Sequence, residues 1–360
     1  MTRATLPGLT DVHVHLRQPG GEHKETYATG TAAALAGGVT TVLDMPNTQP
    51  PTVDGTTLQA KQQLAVAGAR CDVGIFLGAT VDNMDSVGSW AASACGLKIY
   101  VSATYGPLQV ADWARLDVHI ATWPADRPIV IHAEGELLPG MLRLGERYGR
   151  HIHVAHVALR QEIETIVAAK SRGARVSCEV TPHHLTLSVD DLPRLGPFGD
   201  VRPRLASPDD RAALWEHFEA IDCVATDHAP HTRDEKQSGS PPPGLPGLQT
   251  MLPLLLTAVE DGRLSLERIA ELCVYNPARI FGLALQEAST VEVEIGPRYT
   301  IGNQEQLSKC GWTPFDGVEV AGRVLRTVLR GKTVWDGERV LAEPGSGRLL
   351  WPMDAPTGAA

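Results

Sequence analysis

The chain has 360 residues, with 32 basic and 42 acidic side chains and a formal net charge of −10. That balance argues against nucleic acid or an anionic membrane as the main partner, because both need a basic footprint. Hydrophobic residues make up 43% of the chain, ample for a large core, and a length of this order fits two domains or one large α/β barrel with an extension.

Eight short apolar runs alternate with longer helical stretches. The runs are Thr10–Leu16, Thr40–Met45, Asp72–Gly78, Gly96–Val101, Pro128–Ala133, His151–Val157, Arg175–Val180 and Ile221–Thr226. Helices are expected between them at Glu25–Ala36, Thr56–Ala67, Met84–Ala94, Val110–Ala121, Glu136–Tyr148, Gln161–Ser171 and Asp209–Ala220, then at Met251–Glu260 and Leu266–Cys273. Eight strand–helix units in order predict a (β/α)8 TIM barrel of the α/β class. A doubly wound sheet would carry a Gly-rich phosphate loop, and neither G-x-G-x-x-G nor a Walker sequence is present. The units share no repeated side-chain pattern, which argues against a solenoid.

Beyond about residue 285 the runs become short and alternating: Val291–Val293, Arg298–Ile301, Val318–Val320, Arg323–Arg330 and Lys332–Val334. The expected division is a barrel over 1–285, a small and mainly C-terminal β subdomain over 286–352, and a disordered tail over 353–360. The Pro/Gly-rich stretch Arg233–Pro246 reads as a surface loop. The H-x-H at residue 13 leaves no room for upstream strands, so the C-terminal runs are expected to build the β unit nearly alone. Such a short form fits either a domain cut from a fusion polypeptide or a stand-alone protein. No stretch reaches the length of a membrane helix. The early Asp11, His13, His15 and Arg17 argue against a signal peptide. Six cysteines without a C-x-x-C pair read as reduced core residues of a soluble cytoplasmic protein.

In a barrel, side chains at the C-terminal strand ends converge on one pocket. His13 and His15 end the first run on one face, Lys98 lies in the fourth, His132 and His156 end the fifth and sixth, and Asp227 ends the eighth. Each has a plain reading: a lone H-x-H is usually coincidental, and an aspartate after a strand is most often a turn former. Six candidates at matching ends of five strands weigh against those readings. Lys98 is the informative residue. A bare ammonium would repel a cation among four histidines, but burial and cationic neighbours lower a lysine pKa. The neutral amine then reacts with carbon dioxide to give a carbamate, an oxygen ligand able to bridge two metals. One ion is then held by His13, His15, Asp227 and the carbamate, the other by the carbamate, His132 and His156. Imidazole and carboxylate donors suit zinc, and a zinc pair acidifies water and polarises a carbonyl.

Several motifs carry a resemblance: Asp11-Val-His-Val-His-Leu-Arg-Gln-Pro-Gly, Met45-Pro-Asn-Thr, Gly96-Leu-Lys, His132-Ala-Glu, His153-Val-Ala-His, Glu179-Val-Thr-Pro-His-His and Thr226-Asp-His-Ala-Pro-His. Together they resemble dihydroorotase of the amidohydrolase superfamily over nearly the whole chain. Gly244-Leu-Pro-Gly-Leu-Gln-Thr-Met-Leu-Pro and Trp312-Thr-Pro-Phe resemble in particular the dihydroorotase domain of the multifunctional animal pyrimidine-synthesis polypeptide. That polypeptide also carries carbamoyl phosphate synthetase and aspartate transcarbamoylase.

The resemblance implies zinc-dependent, reversible interconversion of N-carbamoyl-L-aspartate and L-dihydroorotate on the way to UMP. It also implies an N6-carboxylysine at Lys98 bridging two Zn2+, the ligand roles just given, and a homodimer. Arg17, Asn47 and His231 match positions that bind the substrate's free carboxylate, and Arg202 matches a further substrate contact. Thr104 and Tyr105 match a mobile lid whose second residue is usually Phe. A third zinc in animal relatives uses a Cys where this chain has Ala155, together with the residue matching Glu179. Without that thiolate, Glu179 reads equally well as a hydrogen-bond acceptor behind the ligands. His153 is expected on the opposite strand face from His156, His183 and His184 in a loop or behind the site, and His23, His119, His151 and His217 at the surface. The alternatives are a hydantoinase/dihydropyrimidinase- or allantoinase-like cyclic amide hydrolase, or a catalytically inactive scaffold domain.

Overall fold

The computed structural model describes residues 2–352. Its strands are β1 (Thr2–Pro7), β2 (Leu9–Val14), β3 (Val39–Asp44), β4 (Asp72–Ile75), β5 (Leu77–Gly78), β6 (Leu97–Tyr100), β7 (Ile129–His132), β8 (Ile152–Val154), β9 (Val176–Val180), β10 (Cys223–Val224), β11 (Thr290–Thr300), β12 (Glu319–Leu329) and β13 (Lys332–Trp335). β2, β3 and β4 pair in parallel, and β5 to β10 form a second parallel run in chain order. β4 and β5 are two halves of one strand position, interrupted at Phe76. A parallel bridge between Val14 and His228 joins the two runs, and the His15 N–H donates to the His228 carbonyl at 2.8 Å. The outcome is an eight-position (β/α)8 barrel.

The strands are apolar on both sides because each side is covered. Ile129, Ile131, Ile152, Val154 and Val224 belong to the large cluster that also holds helix residues such as Leu116, Leu142 and Ile166. On the alternate faces Val130, Ala155, Cys223 and Ala225 pack with Phe76 and Phe281 in a second cluster. Capping residues set several helix starts. Thr26, Asp54, Asp112 and Ser207 accept from the first turns of Tyr27–Ala36, Gly55–Gly68, Trp113–Thr122 and Pro208–Glu216. All six cysteines are buried and unpaired. No helix among the described residues is long and apolar enough to cross a membrane.

Four sequence expectations differ from the structure. The expected helix over Met84–Ala94 is a 3-10 helix over Val87–Ser93; Gly88 and the serines around it are weak helix formers. The small antiparallel sheet runs β1-β11-β12-β13, so residues 2–7 supply a strand upstream of the H-x-H after all. The expected Arg298–Ile301 run is largely the end of the long β11. The Arg233–Pro246 loop opens with a helical turn, Arg233–Lys236, started by a Thr232/Glu235 capping box. The tail expected at 353–360 lies outside the described residues.

One buried ion pair holds the barrel entrance. Asp44 ends β3 with no exposure, and its carboxylate accepts from the Leu16 N–H at 2.9 Å and the Tyr27 hydroxyl at 2.8 Å. Lys61, equally enclosed, brings its ammonium within 3.0 Å of the same carboxylate. Lys61→Met is expected to destabilise the fold by about 3–5 kcal/mol, because it strands a buried charge. Chemical denaturation checks this, and a loss below about 1 kcal/mol contradicts it.

Candidate metal centre

The C-terminal ends of β2, β6, β7 and β8, with the turn after β10, bring the six sequence-predicted donors together. His13 Nε2 and His15 Nε2 lie 3.3 and 3.0 Å from Asp227 Oδ1. His132 Nδ1 faces His156 Nε2 at 2.8 Å, and its Nε2 lies 3.1 Å from Glu134 Oε1. Ligand atoms of His13, His156 and Asp227 all fall within 4.8 Å of one another, a grouping able to hold a metal ion. Lys98 occupies the register position beside Val130, two residues below the Tyr100/His132 pair. Its Nζ is fully buried and has no hydrogen-bond partner among the described residues.

Burial sets the charge states. It pulls the Lys98 ammonium down to about 8, despite the opposing pull of Glu179 and Asp227. It likewise lowers His15 to about 4 and holds His132 and His156 below the usual imidazole range. Neutral imidazoles present the lone pairs that a metal needs. Burial pushes the Asp227 carboxyl up, but the neighbouring His13 and His15 outweigh it and keep the acid well below the usual range.

The backbone is strained where it matters. Arg17, His156 and Asp227 have φ of +65°, +36° and +46°, in the left-handed region that non-glycine residues seldom occupy. This explains why strand parity misplaces His153. β8 ends at Val154, so the chain has already turned when it reaches His156. His153 therefore sits on the interior side: its Nε2 lies 3.1 Å from Glu179 Oε2. Glu179 also contacts His13 Nδ1 through Oε1 and accepts from the His156 N–H at 3.3 Å. One carboxylate thus spans β2, β8 and β9 behind the donors. Ala155 offers only a methyl group, packed in the apolar cluster.

Of the remaining predicted residues, Arg17, Asn47, Thr104, Tyr105 and Arg202 line the same cavity, and His231 stands behind Arg17. Arg17 is buried, donates through Nε to the Pro230 carbonyl at 3.0 Å, and makes no ion pair among the described residues. Asn47 contacts His15 Nδ1 at 2.7 Å through Oδ1 and the Tyr105 carbonyl at 3.2 Å through Nδ2. Thr104, Tyr105 and Arg202 share the cavity wall with the histidines, and Arg202 pairs with Asp200. Gly244 closes the wall beside His231; a Cβ there would meet the Ala229 carbonyl at 2.4 Å, at a φ of +143°. A vestibule of about 640 Å³, sharing His15, Arg17, Asn47 and Tyr105, opens outward.

Of the four histidines expected at the surface only His23 is exposed, and His217 is half-buried. His119 is enclosed with its Nε2 2.8 Å from the Thr80 carbonyl, and His151 is half-buried against Ser177. His183 and His184 are buried on the short helix Pro182–Thr186. Sequence reading also passed over Tyr100, Glu134 and Lys24. Tyr100 places in the cavity a buried hydroxyl without a partner among the described residues. Its position two residues after Lys98, on the same strand face, was the signal available for it.

A barrel with imidazole, carboxylate and amine groups gathered at one strand-end cavity has the amidohydrolase architecture. A family model described as Dihydro-orotase-like matches residues 2–95. The chain is 49% identical over 354 residues to the multifunctional protein CAD of Squalus acanthias, covering 98% of this chain but only 16% of that protein. It is 38% identical to the dihydroorotase of Halobacterium salinarum, covering 94% of this chain and 88% of that one. Among solved structures, the L-hydantoinase of Arthrobacter aurescens superposes with a TM-score of 0.92 at 27% identity, over 97% of this chain and 89% of that one. The chain belongs to the dihydroorotase family.

Glu179 fixes the orientation of a donor histidine, so Glu179→Gln is expected to weaken metal binding by about 10- to 100-fold with the fold intact. Titration against a competing chelator measures this. An affinity within about twofold of wild type would mean that Glu179 only fills the barrel.

Proposed function

We propose that this chain is a dihydroorotase, interconverting N-carbamoyl-L-aspartate and L-dihydroorotate in pyrimidine synthesis. The observation that carries the reading is Arg17: a buried guanidinium without an ion-pair partner, in the same cavity as the metal-competent cluster. Such a group calls for an anionic ligand, and its planar fork suits a carboxylate. Asn47 and His231 stand beside it as further hydrogen-bonding groups.

The donors fit a metal pair. His13, His15 and Asp227 would hold one zinc ion and His132 and His156 the other, with a carboxylated Lys98 between them. The unpartnered Lys98 Nζ supports that modification, since a carbamate gives the enclosed nitrogen a role that a bare amine lacks. Bound there, the ions supply Lewis acidity and acidify water. The protein supplies the rest. Asp227 engages His13 and His15 through Oδ1, which leaves Oδ2 to take a proton from the attacking water and return it to the ring nitrogen that leaves. Ring closure reverses these transfers. Arg17 offsets the charge of the free carboxylate, whose repulsion opposes closure. Thr104 and Tyr105, on the loop over the cavity, exclude water.

Ala155 supports two zinc ions rather than three, and Glu179 is engaged by His13 and His153. Fusion to carbamoyl phosphate synthetase and aspartate transcarbamoylase is supported by the likeness to the Squalus multifunctional protein. A cytoplasmic homodimer is part of the same reading. The fold likeness to L-hydantoinase keeps a second cyclic-amide reading in view. Arg17 separates the two, because a hydantoin ring carries no matching carboxylate. The complete donor set speaks against an inactive scaffold.

Arg17→Gln is expected to lower kcat/KM for dihydroorotate by about 10²–10³-fold at unchanged metal content. Undiminished turnover in that variant would defeat the assignment. Lys98→Met is expected to drop bound zinc from about two equivalents to one or fewer and to abolish activity. Isotope-labelled bicarbonate should report a carbamate by NMR in wild type only; full zinc loading and activity without one would refute the bridge.

A further inference from the structure

Lys24 lies in the loop between β2 and the helix Tyr27–Ala36 and is only 5% exposed. Its ammonium has three N–H donors, and three acceptors meet them. They are Glu235 Oε1 at 3.0 Å, His231 Nδ1 at 3.1 Å and the Tyr105 hydroxyl oxygen at 3.0 Å. Glu235 is fixed by the helical turn at Arg233–Lys236, where its Oε2 accepts the Thr232 N–H at 3.0 Å. Tyr105 also lies under Lys24 and Arg17, with the cations 4.8 and 5.5 Å from its ring centre, and meets the His231 ring edge-on at 5.0 Å.

These contacts fix a tautomer. A lysine ammonium only donates, so Nδ1 of His231 must offer its lone pair and Nε2 must carry the hydrogen. Nε2 finds an acceptor accordingly in the Pro243 carbonyl at 3.0 Å. The terminal guanidinium nitrogen of Arg17 lies 3.1 Å from that same Nε2. With hydrogens on both atoms this approach is no hydrogen bond. It marks a place where two donors converge and an anion would satisfy both.

We propose that Lys24 is a positioning residue that latches the 101–109 loop. Its ammonium ties the lid hydroxyl of Tyr105 to Glu235 and His231, so that closing the lid and setting the His231 tautomer are one event. The proposal rests on the reading above that Arg17 and His231 receive the substrate carboxylate. A phenylalanine at 105 would keep the ring contacts and lose the latch, so the tyrosine in this chain acquires a purpose.

The test uses the full-length, metal-loaded protein and the variants Lys24→Met, Tyr105→Phe, their combination, and Lys24→Arg. Hydrogen exchange of the 101–109 amides is read without substrate, alongside metal content and the kinetics of dihydroorotate hydrolysis. Either single change should speed exchange in that loop by about five- to tenfold, the scale of one hydrogen bond. Amides of β7 and metal content should be unaffected. The double variant should exchange no faster than the faster single one, because both changes break the same contact. Lys24→Met should raise KM more than it lowers kcat, and Lys24→Arg should recover most of both effects. Multiplying effects in the double variant, or wild-type exchange in Tyr105→Phe, would overturn the latch. A wild-type protein with no turnover of dihydroorotate would instead overturn the substrate assignment, while the exchange data would still decide the latch.

Discussion

A lysine amine enclosed by a barrel, with no hydrogen-bond partner among the described residues, is the constraint on which the rest of this molecule turns. Burying a charged ammonium without a partner is costly by several kcal/mol. A neutral amine left unsatisfied still forfeits the hydrogen bonds it had in water. Lys98 Nζ on β6 lies among groups able to offset that cost. Every neighbour is poised to help: imidazoles kept neutral by burial, one carboxylate held charged, and a second carboxylate, Glu179, pinning the orientation of His13 from behind. The same feature that looks like a defect in a protein core becomes sensible once the cavity is read as a cation site.

The barrel was legible in the sequence because its signal is redundant. Eight apolar runs fall on the eight strand positions, and a wrong boundary in one leaves the others standing. The donors were legible for a related reason: a closed barrel aims strand ends at one point, so position along each run is enough. What the sequence hid was backbone that departs from the regular period. His156 lies past the end of β8 at positive φ, so counting by twos from His153 put the two histidines on opposite faces, whereas both belong to the interior. β1 was hidden differently. Thr2–Pro7 buries little beyond Leu6 and becomes a strand only because β11 pairs with it, a contact nearly three hundred residues away in sequence. Lys24 was hidden because nothing local distinguishes a surface lysine from one whose three donors are met by His231, Tyr105 and Glu235, all far along the chain.

The strained residues have a pattern of their own. Of the non-glycine residues at positive φ among those described, Arg17, His156 and Asp227 all border the cavity. Each follows a strand that the barrel holds rigidly, and each is turned back toward the axis by the kink. Strain of this kind persists only where surrounding contacts over-determine it. Those contacts are visible: the Pro230 carbonyl on Arg17, the Glu179 carboxylate on the His156 N–H, and two imidazoles on Asp227. The geometry of the site is therefore stored in the strand ends and does not wait for a ligand to create it.

Specificity must then reside in the loops, since the barrel itself is shared with an L-hydantoinase. The chain as a whole carries a net charge of −10, yet its cavity and vestibule gather Arg17, Lys24 and Arg202. An acidic protein repels anions at long range, and screening confines that repulsion to about a Debye length. At the mouth, local cations with low-dielectric walls dominate the field. Arg202 is paired with Asp200 and Lys24 with Glu235, so their charge is largely offset within the protein. Arg17 is the cation left uncompensated, and it stands next to the donor set. A ligand that brings one carboxylate to Arg17 and a reactive amide to the donors satisfies both needs at once; a neutral cyclic amide leaves the guanidinium stranded.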